Sequence, residues 1–446
     1  MHNRKAASAT QLHSQREFSK MATSFQYPTT SLSKELTQLI PIEIYEYIIS
    51  FLDHSPTSKS CSLTCRSWLQ ASWKRLFAGT ILMVHRENID DLLEIVERDV
   101  HFVTIIRFVR GLYLEQGGSL RLPTWSDSEE RDKYKEAFQF DKYLPLLVGF
   151  KSVRMLKLGW IRGDTGPPTA LSLQNNFGVG VTALELNSVI LSSPLQFFEI
   201  LHALPQLTSL MLVGLKFNSG RPSEDAREAP GMTLVDTPKP PRLQELYCNV
   251  TEDIADFIFS WFAFHGPIPI ETVAVGLFNG STNSKVSRFL FESGSTIDTV
   301  KIWDAYSQDD FDLSPCVRMR TLRMGWIHLS SSSPPGSETF VTDVLKTVSS
   351  PYLEEITVVL QILVSNSPGV ESDLGAFDWR GLMSVLQQPH FRNLRKFCLS
   401  VSSHTRVVKQ ALMKHINPVI ASGKLPFNPD VFHVVAWSRT EFRGHW

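Results

Sequence analysis

The chain has 446 residues, of which 43% are hydrophobic and 20% are charged, and its formal net charge is −1 at pH 7. This composition is ordinary for a globular protein, and the balanced charge provides no broad basic field for nucleic acid. No apolar run in the sequence approaches the roughly 18 residues needed to cross a bilayer. We therefore expect a protein that binds neither nucleic acid nor a membrane.

The cysteine content points to a reducing compartment. The chain has five cysteines, an odd number, and they form no CxxC pair: Cys61, Cys65, Cys248, Cys316 and Cys398. This usage suits reduced, buried thiols in a cytoplasmic or nuclear protein. Because no histidine lies at a zinc-binding spacing from them, the sequence predicts neither a metal site nor a cofactor.

Residues 1–35 are rich in Ser, Thr and Gln, and basic residues outnumber acidic ones among them. Weak organelle transit signals share this composition, but we favour a disordered leader. Met21 is an alternative start of the chain.

The stretch from Ile40 to Phe77 contains three short amphipathic segments. Pro41 suits the first position of a helix, where its missing N–H is not needed. Behind it, apolar residues recur at helical spacing, and a second set repeats that spacing later: Ile44, Ile48, Phe51 and Leu52, then Leu69, Trp73, Leu76 and Phe77. About forty residues are too few to enclose this surface alone. We expect the rest of the chain or a partner to cover it.

The order Ile40-Pro41-x-Glu43-Ile44, Ile48-Ile49-x-Phe51-Leu52 and Ser62-Leu63-x-Cys65-Arg66-x-Trp68 resembles an F-box. That family usually opens with Leu-Pro, and here Ile40 replaces the leucine. The resemblance implies docking on a Skp-type adaptor and, through it, on a cullin. It assigns adaptor contact to Pro41, Ile44, Ile48, Leu52, Leu63, Trp68 and Leu69. The alternative is that the three segments are core helices of a larger domain.

A repeated pattern follows, in which an apolar residue and two variable residues precede an apolar–x–apolar triplet. The first copy is Val109-x-x-Leu112-x-Leu114 and the last is Leu394-x-x-Phe397-x-Leu399. The copies between them begin at Val153, Val181, Leu207, Leu243, Ile270, Ile297, Met319 and Leu353. Such alternation predicts strands. Many copies lie 26–28 residues apart, which is within the range of leucine-rich repeats.

Helical stripes separate several of these strands. They cover Ile89–Val96, Phe197–Leu204, Ile254–Phe262, Val286–Leu290 and Val341–Val348. Alternating strands and helices predict a parallel sheet with right-handed crossovers, and stacked copies predict a curved solenoid. The pattern resembles leucine-rich repeats, but the position that usually holds Asn or Cys in that family holds Ile161, Val189, Leu215 and Ile327. We therefore expect an irregular horseshoe.

The predicted fold class is thus α/β, with a three-helix F-box followed by a solenoid of the leucine-rich-repeat type. The predicted boundaries are a leader over 1–35, the F-box over 36–78 and the solenoid over 79–446. Segments rich in Gly, Pro, Ser and charge predict surface loops inserted near 115–133, 218–242, 329–337 and 366–375.

Few residue groups suggest chemistry. Gly178-Val-Gly180-Val-Thr-Ala183 has the GxGxxA form of a dinucleotide-binding loop, but a strand rather than a helix is predicted after it, which argues against phosphate binding. An acidic run, Asp304, Asp309, Asp310 and Asp312, is interpreted as a solvated loop, with a cation or a basic target as the alternative. No nucleophile, base and orienting group come together, so the sequence does not predict an enzyme.

In a repeat solenoid, the residues between the apolar positions face the concave surface. We predict target binding by Lys157, Glu185, Met211, Tyr247, Lys301, Trp303 and Arg323. Their mixture of charges and aromatic rings suits a protein ligand. With the F-box resemblance, this implies a non-catalytic substrate receptor of an SCF-type ubiquitin ligase. The alternative is a repeat scaffold that binds proteins without any link to a ligase.

Overall fold

The structure is a computed structural model that describes residues 41–50, 61, 66–85, 88–98, 106–115, 140–161, 167–217, 237–276, 280–303, 311–329, 338–362, 367–402, 410, 412–417, 425 and 428–437. The chain divides into two compact units, Met1–Leu76 and Phe77–Trp446. Each unit has its own hydrophobic cluster. The predicted leader lies outside the described residues.

Two helices are described in the first unit, α1 (Ile42–Ser50) and α2 (Arg66–Ala78), the second of which continues past the unit boundary. Tyr45 and Ile49 of α1 and Ala71 of α2 are at most 3% exposed and form the cluster. The Trp68 ring meets the Tyr45 ring edge-on, with centroids 5.5 Å apart. Most of the region between the two helices lies outside the described residues, so the predicted three-helix arrangement stays a prediction.

The second unit is built on one large parallel sheet. Its twelve described strands follow one another in chain order, and every described pairing is parallel. The strands are β1 (Ile81–His85), β2 (Gly111–Glu115), β3 (Met155–Gly159), β4 (Ala183–Asn187), β6 (Ser209–Val213), β8 (Glu245–Asn249), β9 (Thr272–Gly276), β10 (Thr299–Trp303), β11 (Thr321–Leu329), β12 (Glu355–Ile362), β13 (Lys396–Ser402) and β14 (Phe432–Trp437). Two short strands, β5 (Ile190–Leu191) and β7 (Lys216–Phe217), pair separately. The predicted α/β class with a parallel sheet is confirmed.

Nine described helices belong to the second unit: α3 (Ile89–Arg98), α4 (Phe140–Tyr143), α5 (Pro167–Phe177), α6 (Pro194–His202), α7 (Glu252–Phe264), α8 (Gly280–Ser293), α9 (Phe340–Thr347), α10 (Ser367–Ala376) and α11 (Trp379–Leu386). Each apolar stripe predicted from the sequence forms a helix, namely α3, α6, α7, α8 and α9. Local signals start some of them. In α6, Pro194 occupies the first turn and the Ser193 hydroxyl accepts from the Gln196 N–H.

One predicted loop is wrong, because most of the segment near 366–375 forms helix α10. Its Gly and Ser content disfavours a helix. Tertiary contacts decide the outcome: Leu374 is 0% exposed, and its carbonyl accepts from the Trp379 indole N–H at 2.7 Å. The other predicted insertions lie mostly outside the described residues, although Thr237 and the residues up to Arg242 are described without regular structure.

The register of the sheet separates two faces. The apolar residues of each triplet pair with their counterparts, as Leu156 does with Leu184 and Leu158 with Leu186, and these residues are buried in the core. The residue between them points to the opposite face because side chains alternate along a strand. We call this opposite face the polar face; most of its side chains are half-buried.

The turns that follow three strands share an unusual backbone. Trp160, Ser188 and Gly214 have positive φ of 54°, 55° and 60°. Each donates its N–H to the carbonyl of the last residue of the next strand in the sheet: Asn187, Val213 and Asn249. The next residues, Ile161, Val189 and Leu215, are at most 3% exposed. Main-chain bonds and buried aliphatic side chains therefore shape turns where leucine-rich repeats use an Asn or Cys side chain.

Gly214→Ala should destabilise the protein by about 1–2 kcal/mol, because a residue with a Cβ is strained at positive φ. There is no steric clash, since the nearest atom to the new Cβ would be the Ser188 hydroxyl at 3.6 Å. Gly375→Ala is the matched control. A Cβ at Gly375 in α10 meets no atom within 4 Å, so alanine should stabilise by about 0.5 kcal/mol through its helix propensity. Urea denaturation measures the change in the free energy of unfolding of each variant. Equal changes in the two variants would contradict the predicted strain at Gly214.

Aromatic side chains fill the core between helices α6, α7 and α8. Trp261 is 1% exposed, and its ring centroid lies 4.9 Å from that of Phe198 and 6.0 Å from that of Phe197. Its indole N–H donates to the Pro238 carbonyl at 2.9 Å, so the polar atom of the ring is satisfied. Phe262 and Phe289 extend the cluster, with ring centroids 5.8 Å apart.

Trp261→Ala should lower the free energy of unfolding by about 3–5 kcal/mol, since it leaves a cavity and an unpaired carbonyl. Phe264 on the same helix is 47% exposed, so Phe264→Ala should cost well under half as much. Denaturant titration of the two variants compares these costs.

Candidate functional site

The polar face carries one residue per strand in a continuous central row. In sheet order from β2 to β11 the row reads Tyr113, Lys157, Glu185, Met211, Tyr247, Ala274, Lys301 and Arg323. It continues through Thr357, Cys398 and His433. Six of the seven residues predicted to bind a target lie in this row, and the seventh, Trp303, lies two residues further along β10. Adjacent strands are about 4.8 Å apart, so the row is one connected surface.

Near the start of the row, the charged side chains neutralise each other. The Lys157 ammonium forms an ion pair with the Glu185 carboxylate, and the two side chains are 25% and 16% exposed. Tyr113 lies across Gly159, where any side chain would collide with the ring. Burial, with smaller contributions from the charges of Glu115 and Glu185, raises the pKa of Tyr113 to about 12. This end of the row therefore offers packed, charge-balanced surface.

An aromatic pair spans three strands in the middle of the face. The ring centroids of Tyr247 on β8 and Trp303 on β10 are 4.3 Å apart, with planes 37° apart. Ala274 and Gly276 of the intervening strand β9 are small, so the two rings meet above them. Trp303 is only 4% exposed. The expectation that Trp303 contacts a target directly is therefore corrected: it supports the half-buried Tyr247.

Beside this pair lie two cations in register, Lys301 on β10 and Arg323 on β11. Neither makes an ion pair with any described residue. The Arg323 Nε is buried and has no hydrogen-bond acceptor among the described residues. Burial and the charge of Arg323 lower the pKa of Lys301, and the charge of Glu245 only partly opposes this. Two adjacent cations in a partly desolvated position repel each other.

The other described Lys side chains of this face are paired. Lys157 has Glu185, and Lys396 meets Glu355 at 3.5 Å. One residue before the strands, an exposed chain of alternating charges runs along the sheet through Asp298, Arg320, Glu354 and Arg395. Exposed pairs of this kind contribute little stability. Lys301 and Arg323 are thus the Lys and Arg side chains of the central row that form no ion pair with a described residue.

Packing explains the glycines of the dinucleotide-like sequence. A Cβ at Gly178 would lie 2.6 Å from the Gln174 carbonyl oxygen, and one at Gly180 would lie 2.8 Å from that of Val153. Helix α5 precedes these glycines and strand β4 follows them, the reverse of the order that phosphate binding needs. Close backbone approach therefore accounts for both residues.

The described cysteines and acidic residues do not form a reactive or metal-binding group. Burial raises the pKa of the Cys248 and Cys316 thiols to about 12. Within the described ranges, no group of three or more His, Cys, Asp or Glu side chains is close enough to hold a metal ion. Most of the acidic run that begins at Asp304 lies outside those ranges.

In the first unit, the residues predicted to contact an adaptor fall into three groups. Ile44 and Ile48 are 48% and 42% exposed, and Pro41 is exposed before them. Trp68 and Leu69 are half-buried on α2. Leu52 and Leu63 lie outside the described residues. Sequence reasoning missed Tyr47, 65% exposed, whose i+3 spacing from Ile44 was the available signal.

Comparison with known proteins gives no family: no protein-family model matches the chain, and no curated protein is significantly similar to it. In the part of the chain that the structure describes, no helix has the length and apolar character needed to span a bilayer.

The partly buried Lys157–Glu185 pair should matter more to stability than the exposed Lys396–Glu355 pair. Glu185→Gln leaves the Lys157 charge without its partner and should cost about 1–3 kcal/mol. Glu355→Gln, whose pair is 45% and 39% exposed, should cost about 0–1 kcal/mol. Urea titrations of the two variants compare the costs, and similar values would show that the Lys157 site is as well solvated as the other.

Proposed function

We propose that this protein is a non-catalytic substrate receptor of an SCF-type cullin-RING ubiquitin ligase. In this proposal, the first unit is an F-box that docks on a Skp-type adaptor. The second unit is an irregular solenoid of the leucine-rich-repeat type whose polar face holds a target protein. Such a complex acts in the cytoplasm or the nucleus.

The observation that carries the proposal is the exposed apolar patch of α1, which consists of Ile44, Tyr47 and Ile48. Another side of the same helix, with Tyr45 and Ile49, already supplies the internal cluster of the unit. A nine-residue helix that is apolar on both sides is stabilised when a second molecule covers the outer one. An amphipathic helix laid into an apolar groove is a common mode of recognition.

The second unit supports the target-binding half of the proposal. Sequential parallel strands with helices between them are the arrangement expected of stacked repeats. Their in-register side chains form a wide surface that mixes charges with an aromatic residue. Catalysis in the complex is by proximity, because the receptor holds a target lysine near an E2 enzyme that other subunits bring.

The second candidate is a repeat scaffold that uses the same polar face without a ligase. The exposed α1 patch favours the receptor, since a scaffold needs no such helix. Purification of the intact chain from its native cells separates the two functions. A receptor brings down both the adaptor and a cullin, whereas a scaffold brings down targets alone.

The double variant Ile44→Asp/Ile48→Asp should weaken adaptor binding by roughly 100-fold or more, because each Asp removes an apolar contact and buries a charge at the interface. The control is Ile95→Asp on α3, since Ile95 is 44% exposed and lies in the second unit. It should leave binding unchanged. Isothermal titration with a purified Skp-type adaptor measures both.

Circular dichroism should show that both variants stay folded, because the replaced side chains are exposed. Full adaptor binding by the folded double variant would sink the F-box assignment. Binding lost equally in the Ile95 control would trace the effect to nonspecific charge.

A further inference from the structure

We infer that Lys301 and Arg323 form a subsite for an oxyanion carried on a side chain of the target polypeptide, either the carboxylate of Asp or Glu or a phosphoryl group. The inference rests on the proposed function in that the polar face receives a target. It adds the charge of the group recognised and its position on the sheet.

The first support is the electrostatic imbalance of this position. Lys301 and Arg323 are direct neighbours in the central row and carry like charges. The Lys157 and Lys396 charges on the same face have carboxylate partners, so unpaired cations are not general to the surface. Like charges directly opposite each other on paired strands disfavour folding. An anion bound between them removes that repulsion.

The second support is unused hydrogen-bonding capacity. The buried Arg323 Nε has no acceptor among the described residues. In the central row, Arg323 on β11 is followed by Thr357 on β12 and Cys398 on β13. On β13, Ser400 is 2% exposed, and its hydroxyl likewise has no partner in the described part of the chain. Buried donors without acceptors are costly, and an oxyanion supplies several acceptor positions.

The surroundings favour one compact anionic group. Thr299, Thr321 and Thr357 are polar-face neighbours of the two cations in the described sheet, and they add hydroxyl groups without adding charge. Glu245 is the first residue of β8, and its charge disfavours an anion displaced from Lys301 towards that strand. The half-buried ring of Tyr247 offers apolar contact to the flanking peptide.

A nucleic acid or a membrane surface fits this site less well than a peptide. Both ligands present rows of phosphates and need an extended basic field. The central row has two adjacent cations, Lys301 and Arg323, without an ion pair to a described residue, and the formal net charge of the whole chain is −1. A single acidic or phosphorylated side chain matches this charge.

The test uses the purified full chain and degenerate nine-residue peptide libraries that differ only in the fixed central residue, which is phosphoserine, Glu or Gln. Fluorescence polarisation at low salt measures binding. We expect the phosphoserine library, the Glu library or both to bind about 10-fold more tightly than the Gln library. Much tighter binding of the phosphoserine library than of the Glu library identifies a phosphoryl group as the preferred ligand, and equal binding of the two shows that the site accepts either anion. No advantage of either anionic library over Gln overturns the inference.

Lys301→Gln/Arg323→Gln should abolish the preference for the anionic library. The matched control, Lys157→Gln/Lys396→Gln, removes the same number of cations from the same face and should keep the preference. A preference that survives in the first variant, or that is lost equally in both, overturns the assignment to Lys301 and Arg323. Arg323→Lys keeps the charge and should keep most of the preference, which covers the case in which the double variant does not fold.

This binding assay does not involve the adaptor. Loss of adaptor binding would therefore overturn the proposed function while leaving the peptide result readable. Loss of anion preference in a chain that still binds the adaptor would overturn the subsite alone.

Discussion

The structure of the second unit depends on the main-chain alignment of the strands where they begin, although the register between β11 and β12 shifts later, between Met324 and Ile327. In the twelve-stranded sheet, the carbonyl that precedes each strand from β2 to β12 accepts from two consecutive N–H groups at the start of the next strand, beginning with Arg110 and ending with Glu354. These bonds align every strand at the same residue of its repeat. A slip by one residue would move the apolar side chains to the polar face. The buried core, the central row and the positions of its charges all follow from this alignment.

Because paired residues lie side by side on neighbouring strands, the size of one side chain determines where the side chains beside it can lie. Ala274 and Gly276 leave room above β9, and Tyr247 and Trp303 use it although they are separated by two strand spacings. Gly159 does the same for Tyr113. Small residues thus decide where large ones lie on this face. Lys301 and Arg323, next to the aromatic pair, have no ion-pair partner among the described residues. This distinguishes their position from that of Lys157 in the same row.

Helix α1 of the first unit shows the opposite constraint, since three of its large side chains stay exposed. Tyr45 and Ile49 consume one side of α1, and Ile44, Tyr47 and Ile48 remain exposed on the other. An apolar surface of this kind is expensive in water. The proposed adaptor contact and the proposed anion subsite therefore have a common physical origin. Exposed apolar surface in the first case and repulsion between like charges in the second are unfavourable, and the described residues do not remove either.

The sequence by itself determined the strand repeats, the main helical stripes and the row in which six of the seven candidate target-binding residues lie, because period-2 and period-3.6 patterns are local properties of the chain. It did not determine α10, whose weak local propensity is overcome by the burial of Leu374. It also did not determine the burial of Trp303 against Tyr247, or the placement of Lys301 beside Arg323 without an ion pair to a described residue. Tertiary structure decided these, because each depends on residues brought side by side by strand pairing from distant parts of the sequence.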